Sequence, residues 1–140
     1  MSLYVLDTDT LSLLQRGHSA LVRRCTERVA DEQLAITIIT VEEQLSGWFR
    51  MIRKAKRPED LAQAYENLGA NVRFLGQLPI LSFTTAANDR YRRLASSRLN
   101  IGGMDLRIAA VVLEHGGTLI TRNIRDFERV PDLLIEDWTS

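Results

Sequence analysis

Short apolar runs recur along the chain, separated by segments long enough to form helices. The runs that predict strands are residues 3–6, 34–38, 80–83, 118–121 and 133–135. Strands that alternate with helices in this way are typical of α/β proteins with a parallel sheet. We therefore predict an α/β fold with a central, mostly parallel sheet.

Apolar residues at helical spacing predict the longer helices. One stripe consists of Val41, Leu45, Trp48, Phe49 and Ile52, and a second of Leu61, Tyr65, Leu68, Val72 and Leu75. Pro58 precedes the second stripe at a position typical of a helix start, so the two helices are expected to form a hairpin. Residues 106–113 are apolar nearly all round, which predicts a helix buried inside the domain.

The chain length and charge balance narrow the possible classes. With 140 residues, 45% of them hydrophobic, we expect one domain spanning residues 1–140. The 18 basic residues balance the 18 acidic ones, so net charge alone does not point to nucleic acid or membrane. The N-terminus lacks a basic leader and no apolar run reaches the length of a membrane span, so we expect a soluble cytoplasmic protein.

The cysteine and the two histidines give no sign of a catalytic or zinc site. Cys25 is the only cysteine, which excludes an intramolecular disulfide and a cysteine-cluster zinc site. Its helical spacing from Leu21, Val22 and Val29 predicts core packing. We interpret His18 as a surface or capping residue and His115 as part of a last helical turn.

Four acids stand near predicted strand ends or helix starts: Asp7, Glu43, Asp105 and Asp126. Ligands of open parallel sheets bind beyond the carboxyl ends of the strands, so these acids could converge on one rim. Each also has a local explanation. Asp7, Thr8 or Asp9 could cap a helix, Thr40 and Glu43 have capping-box spacing, Asp105 could cap its helix, and Asp126 could be a turn residue. Local reasoning does not decide whether Glu42 or Glu43 faces a site.

Acids that converge need counter-charge. Two carboxylates about 6 Å apart repel by roughly 3 kcal/mol at an effective dielectric constant near 20. The only lysines are Lys54 and Lys56, both in one basic helix end, so a divalent cation is the more natural partner. Ligands that are all oxygen favour Mg²⁺ or Mn²⁺ over zinc.

Four motifs, in order along nearly the whole chain, resemble those of PIN-domain ribonucleases, most closely VapC-type toxins of type II toxin–antitoxin systems. They are "YVLDTDTLS", "TVEEQLSG", "GGMDLRIAA" and "LITRNIRDFERV". The resemblance implies a PIN-like three-layer α/β/α sandwich, a homodimer, and a cognate antitoxin whose C-terminal segment occupies the acidic groove. It selects Glu43 over Glu42, because relatives carry a glutamate four residues before the motif's glycine.

The same resemblance implies roles for individual residues. It assigns Asp7, Glu43, Asp105 and Asp126 to the metal site, with Thr121 and Asn123 as polar supports. Asp9 departs from the family pattern, since many relatives have asparagine there; it could orient Asp7 or reach the metal through water. The implied activity is Mg²⁺-dependent hydrolysis of RNA phosphodiester bonds, with Mn²⁺ as a possible substitute.

An acidic site repels RNA, so cations must hold the substrate. Two segments offer them. "RMIRKAKR" contains Arg50, Arg53, Lys54, Lys56 and Arg57, and "DRYRRLASSR" contains Arg90, Arg92, Arg93 and Arg98 with Tyr91 between them. The alternative interpretation is a pair of solvated helix faces.

Two other functions fit parts of the sequence. A haloacid-dehalogenase-like phosphatase would use Asp7 as nucleophile and Asp9 as acid/base, but that family has threonine or valine where Leu11 stands and needs a lysine near the site. The second alternative is a non-catalytic RNA-binding or partner-binding PIN module.

Overall fold

Five strands and seven helices alternate along the chain in the computed structural model, which describes residues 2–140. The strands are β1 (Ser2–Leu6), β2 (Glu32–Thr37), β3 (Ile80–Leu81), β4 (Thr118–Ile120) and β5 (Leu134–Glu136). The helices are α1 (Thr8–Gln15), α2 (Ser19–Thr26), α3 (Ile38–Lys54), α4 (Pro58–Leu75), α5 (Thr85–Ser96), α6 (Gly103–His115) and α7 (Ile124–Phe127).

The strands form one sheet in the order β3-β2-β1-β4-β5, and every neighbouring pair is parallel. Successive residues of a strand point to opposite faces. Val5 accordingly belongs to a core with α5 and α6, whereas Leu6 belongs to a second core with α1 and α2. Helices therefore cover both faces of the sheet, and the predicted three-layer α/β/α architecture is confirmed.

All five predicted strands are present, with end points that differ by a few residues. Ile38 is the first residue of α3 rather than the last of β2, and Thr121 lies just beyond β4. Because all strands are parallel, their carboxyl ends lie along the same edge of the sheet. Asp7, Ile38 and Thr121 stand at that edge.

The predicted hairpin of α3 and α4 is confirmed, and Pro58 opens α4. Its apolar stripes are only partly buried, which differs from the sequence interpretation. Ala64 and Asn71 face inward from α4, whereas Tyr65 and Val72, one position later on the helix, are 57% and 51% exposed. Further large apolar side chains on the hairpin are exposed: Phe49, Met51 and Leu61. The hairpin thus presents an apolar outer surface.

The buried helix predicted over residues 106–113 is α6, whose residues 108–112 are all buried. His115 lies in its last turn, and Gly116 ends it in the left-handed conformation, with φ of 69°. His18 caps α2 by accepting a hydrogen bond from the Leu21 backbone N–H at 3.4 Å. Both histidine predictions are therefore confirmed.

The prediction for Cys25 is correct only in part. Cys25 is half-buried and packs against the core that contains Leu21. Val22 is 41% exposed on α2 itself, and Val29 is 60% exposed because α2 ends at Thr26, before Val29 is reached. Burial raises the pKa of the Cys25 thiol, which keeps it in the unreactive protonated form.

None of the helices within residues 2–140 has the length and apolar character needed to cross a lipid bilayer.

Candidate active site

Asp7 follows β1 directly and is the N-cap of α1. Its Oδ1 accepts a hydrogen bond from the Thr10 backbone N–H at 2.8 Å, and only 6% of the residue is exposed. Burial raises the pKa of Asp7, while the Thr121 hydroxyl and the Thr10 N–H lower it. The capping and strand-end interpretations are thus both correct, because an oxygen of a strand-end carboxylate can cap the helix that follows.

Glu43 lies in the second turn of α3, which begins at Ile38. The N-cap of α3 is Thr37, whose Oγ1 accepts from the Thr40 N–H at 3.2 Å, so the capping box suggested between Thr40 and Glu43 is wrong. Instead, the Thr8 hydroxyl donates to Glu43 Oε1 at 2.5 Å. Glu43 therefore faces the start of α1, whereas Glu42 is exposed.

Asp105 lies in the first turn of α6 and does not cap it, since the N-cap is Gly102. The carboxylate is half-buried, and no hydrogen bond or ion pair reaches it from the described part of the chain. Burial and, in decreasing order, the charges of Glu43, Asp7 and Asp126 raise the pKa of Asp105 to about 6. Asp105 thus lies near other carboxylates and forms no ion pair with residues 2–140.

Asp126 is bonded to two residues of its own segment. It lies in α7, where Asn123 Nδ2 donates to its Oδ2 at 3.0 Å and the Arg129 guanidinium donates to its Oδ1 at 2.5 Å. Thr121, fully buried, accepts the Asn123 backbone N–H at 2.9 Å and so fixes the turn between β4 and α7. Both predicted polar supports therefore order the segment that carries Asp126.

An open cleft of about 610 Å³ lies at the carboxyl edge of the sheet. Its lining residues are Asp7, Thr8, Asp9, Glu43, Asp105, Arg122 and Asn123. Three of the four predicted metal-site acids share this cleft, and Asp126 stands outside its lining. The charge of Asp126 nevertheless raises the pKa of Asp105, so Asp126 lies within electrostatic range of the other acids.

Arginines supply part of the counter-charge. Arg122 is the single cation among the described residues that line the cleft, and its Nε donates to Asp9 Oδ2 at 2.9 Å. Arg122 and Arg129, rather than the two lysines, are the cations that pair with acids in this part of the chain. Neither arginine contacts Asp105, whose charge stays uncompensated.

A model of the PIN domain matches residues 4–133. The chain belongs to the PIN-domain family. Among curated proteins, this PIN domain is 29% identical to "Ribonuclease VapC2" of Rickettsia felis, over 97% of its own length and 98% of the relative. It is 28% identical to the "tRNA(fMet)-specific endonuclease VapC" of Salmonella typhimurium, over 96% and 97%.

Among solved structures, DNA-bound VapBC from Salmonella typhimurium contains a chain that superposes on this PIN domain with a TM-score of 0.76. The two are 27% identical, and the match covers 99% of each chain. The likeness extends over the whole α/β/α sandwich, including the edge where the cleft lies.

The donors in the cleft of this PIN domain are suited to a divalent cation. They are carboxylates and a threonine hydroxyl, the oxygen ligands that Mg²⁺ and Mn²⁺ prefer. Within residues 2–140, no three acidic, histidine or cysteine side chains are close enough to form a complete coordination set. Glu43 is bonded to Thr8 and Asp126 to Arg129, so these carboxylates would have to rotate to reach a cation held by Asp105.

The basic segments predicted to hold RNA lie outside the cleft, and some of their charges are paired. Arg57 bonds to Asp60 at 2.9 Å, and Arg90 bonds to Glu114 at 2.8 Å. Arg107 covers the ring of Tyr91 at 4.4 Å, which removes that face as a base-stacking platform. The predicted cations that are exposed and form no ion pair with residues 2–140 are Arg50, Arg53, Lys54, Lys56, Arg92, Arg93 and Arg98.

Sequence reasoning missed two residues of the cleft of this PIN domain. Thr8 bonds to Glu43 and lies 3.0 Å from the Thr40 hydroxyl, which links α1 to α3. Arg122 stands two residues beyond the end of β4, at the same edge as Asp7. Its position just after a strand end was the signal that could have identified it.

Proposed function

We propose that this PIN domain is a Mg²⁺-dependent endoribonuclease and the toxin of a toxin–antitoxin pair. The observation that carries the proposal is Asp105, half-buried beside Asp7 and Glu43 and without a cation from the described chain. Such a group is stabilised most by a bound divalent cation. The relatives named as ribonucleases, matched over nearly their full length, give the reaction class.

Asp7, Glu43 and Asp105 would hold the cation, and Asp126 would contribute by rotating away from Arg129. When bound, Mg²⁺, or Mn²⁺ in its place, would polarise the scissile phosphate and lower the pKa of a water molecule. The chain's own part is positional. The Thr10 N–H fixes the carboxylate of Asp7 at the start of α1, and Thr8 holds Glu43 beside the cleft until a cation binds.

RNA must approach a cleft with four acids in its lining, so cations outside the cleft have to supply the attraction. Exposed, unpaired arginines and a lysine are available near the end of α3 and on α5. We propose Arg50, Arg53, Lys54, Arg92 and Arg93 for this role, and Arg90 to the extent that RNA can displace Glu114. Charge reversal there should weaken RNA binding and reduce its salt dependence.

The protein partners follow from the same family. The solved structure that resembles this PIN domain is a DNA-bound VapBC, which supports a cognate antitoxin as partner. The apolar outer surface of the α3–α4 hairpin is suited to a protein contact and is our candidate for the homodimer face. We expect the pair to act in the cytoplasm, where RNA and a co-expressed antitoxin meet.

The two alternative functions are less well supported. For the phosphatase, the matching family model is instead that of PIN domains, and none of the described residues that line the cleft is a lysine. A non-catalytic module would not need a half-buried, uncompensated Asp105, which is costly to keep ionised.

The test is cleavage of total cellular RNA and of purified tRNA by the protein in Mg²⁺, Mn²⁺ or EDTA. Glu43→Gln should abolish cleavage, because it removes a charged ligand while keeping the side-chain shape. Glu42→Gln, the same change one residue earlier on an exposed position, is the matched control and should cleave like wild type. Equal activity of both variants, or cleavage that persists in EDTA, would contradict the proposal.

A further inference from the structure

Arg122 bridges the mouth of the acidic cleft. It extends from the turn after β4 to Asp9 in the first turn of α1, and both its Nε and one terminal nitrogen lie 2.9 Å from the same oxygen, Asp9 Oδ2. A guanidinium has five N–H groups in a planar fork. Asp9 therefore uses only part of the donor capacity of Arg122.

The ion pair is easily separated. The side chains of Arg122 and Asp9 are 49% and 56% exposed, and ion pairs this exposed contribute little to stability. A phosphate diester carries the same charge as Asp9 and offers two oxygens in the geometry that a guanidinium binds in bidentate fashion. Replacing Asp9 by phosphate would thus cost little and add hydrogen bonds.

The charges that line the cleft show why a phosphate would bind to Arg122 in place of Asp9. Asp7, Asp9, Glu43 and Asp105 all line the cleft, and Arg122 is its sole cationic side chain within residues 2–140. Any phosphate that enters meets four acids and one arginine. The other predicted RNA-binding cations are not among the lining residues, so they are placed to bind phosphates away from the four acids.

We propose that Arg122 binds the substrate phosphate in the cleft and that Asp9 competes with the phosphate for it. The inference rests on the proposed ribonuclease function and names the residue that places the reacting group. In the free protein Asp9 holds Arg122 across the mouth. In the complex the guanidinium turns from Asp9 to phosphate, and RNA binding is weaker by the cost of displacing Asp9.

Two measurements test the proposal: RNA affinity in Ca²⁺, by fluorescence anisotropy at several salt concentrations, and kcat and KM in Mg²⁺. Arg122→Gln should weaken RNA binding about tenfold, for every RNA sequence tested, and lower the salt slope by about one. Arg122→Lys should recover part of the affinity, because it keeps the charge but not the fork. Arg125→Gln is the matched control, since Arg125 is exposed in α7 and outside the cleft lining.

The competition with Asp9 has its own test. Asp9→Asn should tighten RNA binding in the wild-type background and do so by a smaller factor in the R122Q background, because without Arg122 no competition exists. Thermal melting confirms that each variant is folded. Equal gains in both backgrounds would overturn the competition, and an Arg122→Gln protein with wild-type affinity and salt slope would overturn the whole proposal.

The outcomes separate this inference from the function on which it rests. Wild-type protein that fails to cleave any RNA in Mg²⁺ contradicts the proposed function. Wild-type cleavage together with Arg122→Gln kinetics that match wild type contradicts only the role of Arg122.

Discussion

Replacement of Asp105 by asparagine should stabilise the metal-free protein while removing its response to metal. Burial and three neighbouring acids raise the pKa of Asp105 from 3.8 to about 6, so its ionised form is costly in the folded state. A shift of this size corresponds to about 3 kcal/mol if it were wholly transmitted to stability. Because the side chain is only half-buried, solvent screening reduces the expected gain.

A second effect acts in the opposite direction. Asp105 lies in the first turn of α6, where a negative charge interacts favourably with the helix dipole, by about 0.5 kcal/mol. The net gain for Asp105→Asn in EDTA at pH 8 should therefore be about 1 kcal/mol. For a chain of this length, that corresponds to a rise in Tm of about 3 °C.

The pH dependence follows from the same shift. Between about pH 4 and pH 6 the folded state binds more protons at Asp105 than the unfolded state does, so wild-type stability falls as pH rises through this window. The advantage of Asp105→Asn should be present above pH 6 and shrink as pH falls towards 4. Urea denaturation in EDTA at several pH values measures it.

Added Mg²⁺ should make wild type more stable than Asp105→Asn. Wild type gains stability with Mg²⁺ concentration because the cation binds only the folded state, and the variant, which lacks a ligand, gains less. A variant that is less stable than wild type in EDTA at pH 8, or that responds to Mg²⁺ as wild type does, would refute the electrostatic account of Asp105.

Three further substitutions test the packing and backbone analysis, each by urea denaturation against wild type. Gly116→Ala should cost about 1 kcal/mol, because Gly116 ends α6 with φ of 69° and alanine is strained there. Gly47→Ala should instead raise the free energy of unfolding by up to about 1 kcal/mol, because Gly47 lies inside α3 and a new Cβ would meet only the Arg50 guanidinium, at 3.8 Å. A lower free energy of unfolding would mean that α3 has to shift to accept the Cβ. Arg24→Gln should lower the free energy of unfolding by about 1 kcal/mol, since it removes the cation–π contact with Trp138, at 4.2 Å to the ring, and the ion pair with Glu32. An unchanged urea midpoint would show that these two contacts do not contribute to stability.

The order of apolar runs was enough to predict the fold class. Alternation of strands and helices indicated a parallel sheet, and the pattern over residues 106–113 identified α6 as buried. Burial on the hairpin was less predictable, because the periodic stripe of α4 includes Tyr65 and Val72, which face solvent. Periodicity shows which residues share one face of a helix. It does not show whether that face packs into the core or onto a partner protein, because both contacts favour apolar residues.

The residues of the site could be predicted, but the contacts that hold each side chain could not. The sequence placed Asp7 and Asp105 correctly relative to the strand end and the buried helix, and the family resemblance selected Glu43. It could not show that Thr37 rather than Thr40 caps α3, since both are threonines near the helix start. The hydrogen bonds from Thr8 to Glu43 and from Arg122 to Asp9 could not be predicted from the sequence either.

Those links join distant parts of the chain. Thr8 and Glu43 are 35 positions apart, and Arg122 and Asp9 are 113 apart. Local pattern carries no information on contacts of this range. They become visible only when the parallel sheet brings the ends of β1, β2 and β4 to one edge.

The most direct test of the metal site is a crystal structure of the protein grown with Mn²⁺, with anomalous scattering used to locate the ion. The account predicts a peak within coordination distance of Asp7 and Asp105, with Glu43 rotated away from Thr8 to join them. A structure at the same Mn²⁺ concentration with no peak in the cleft, or with a peak bound only by Asp9 or Asp126, would contradict it.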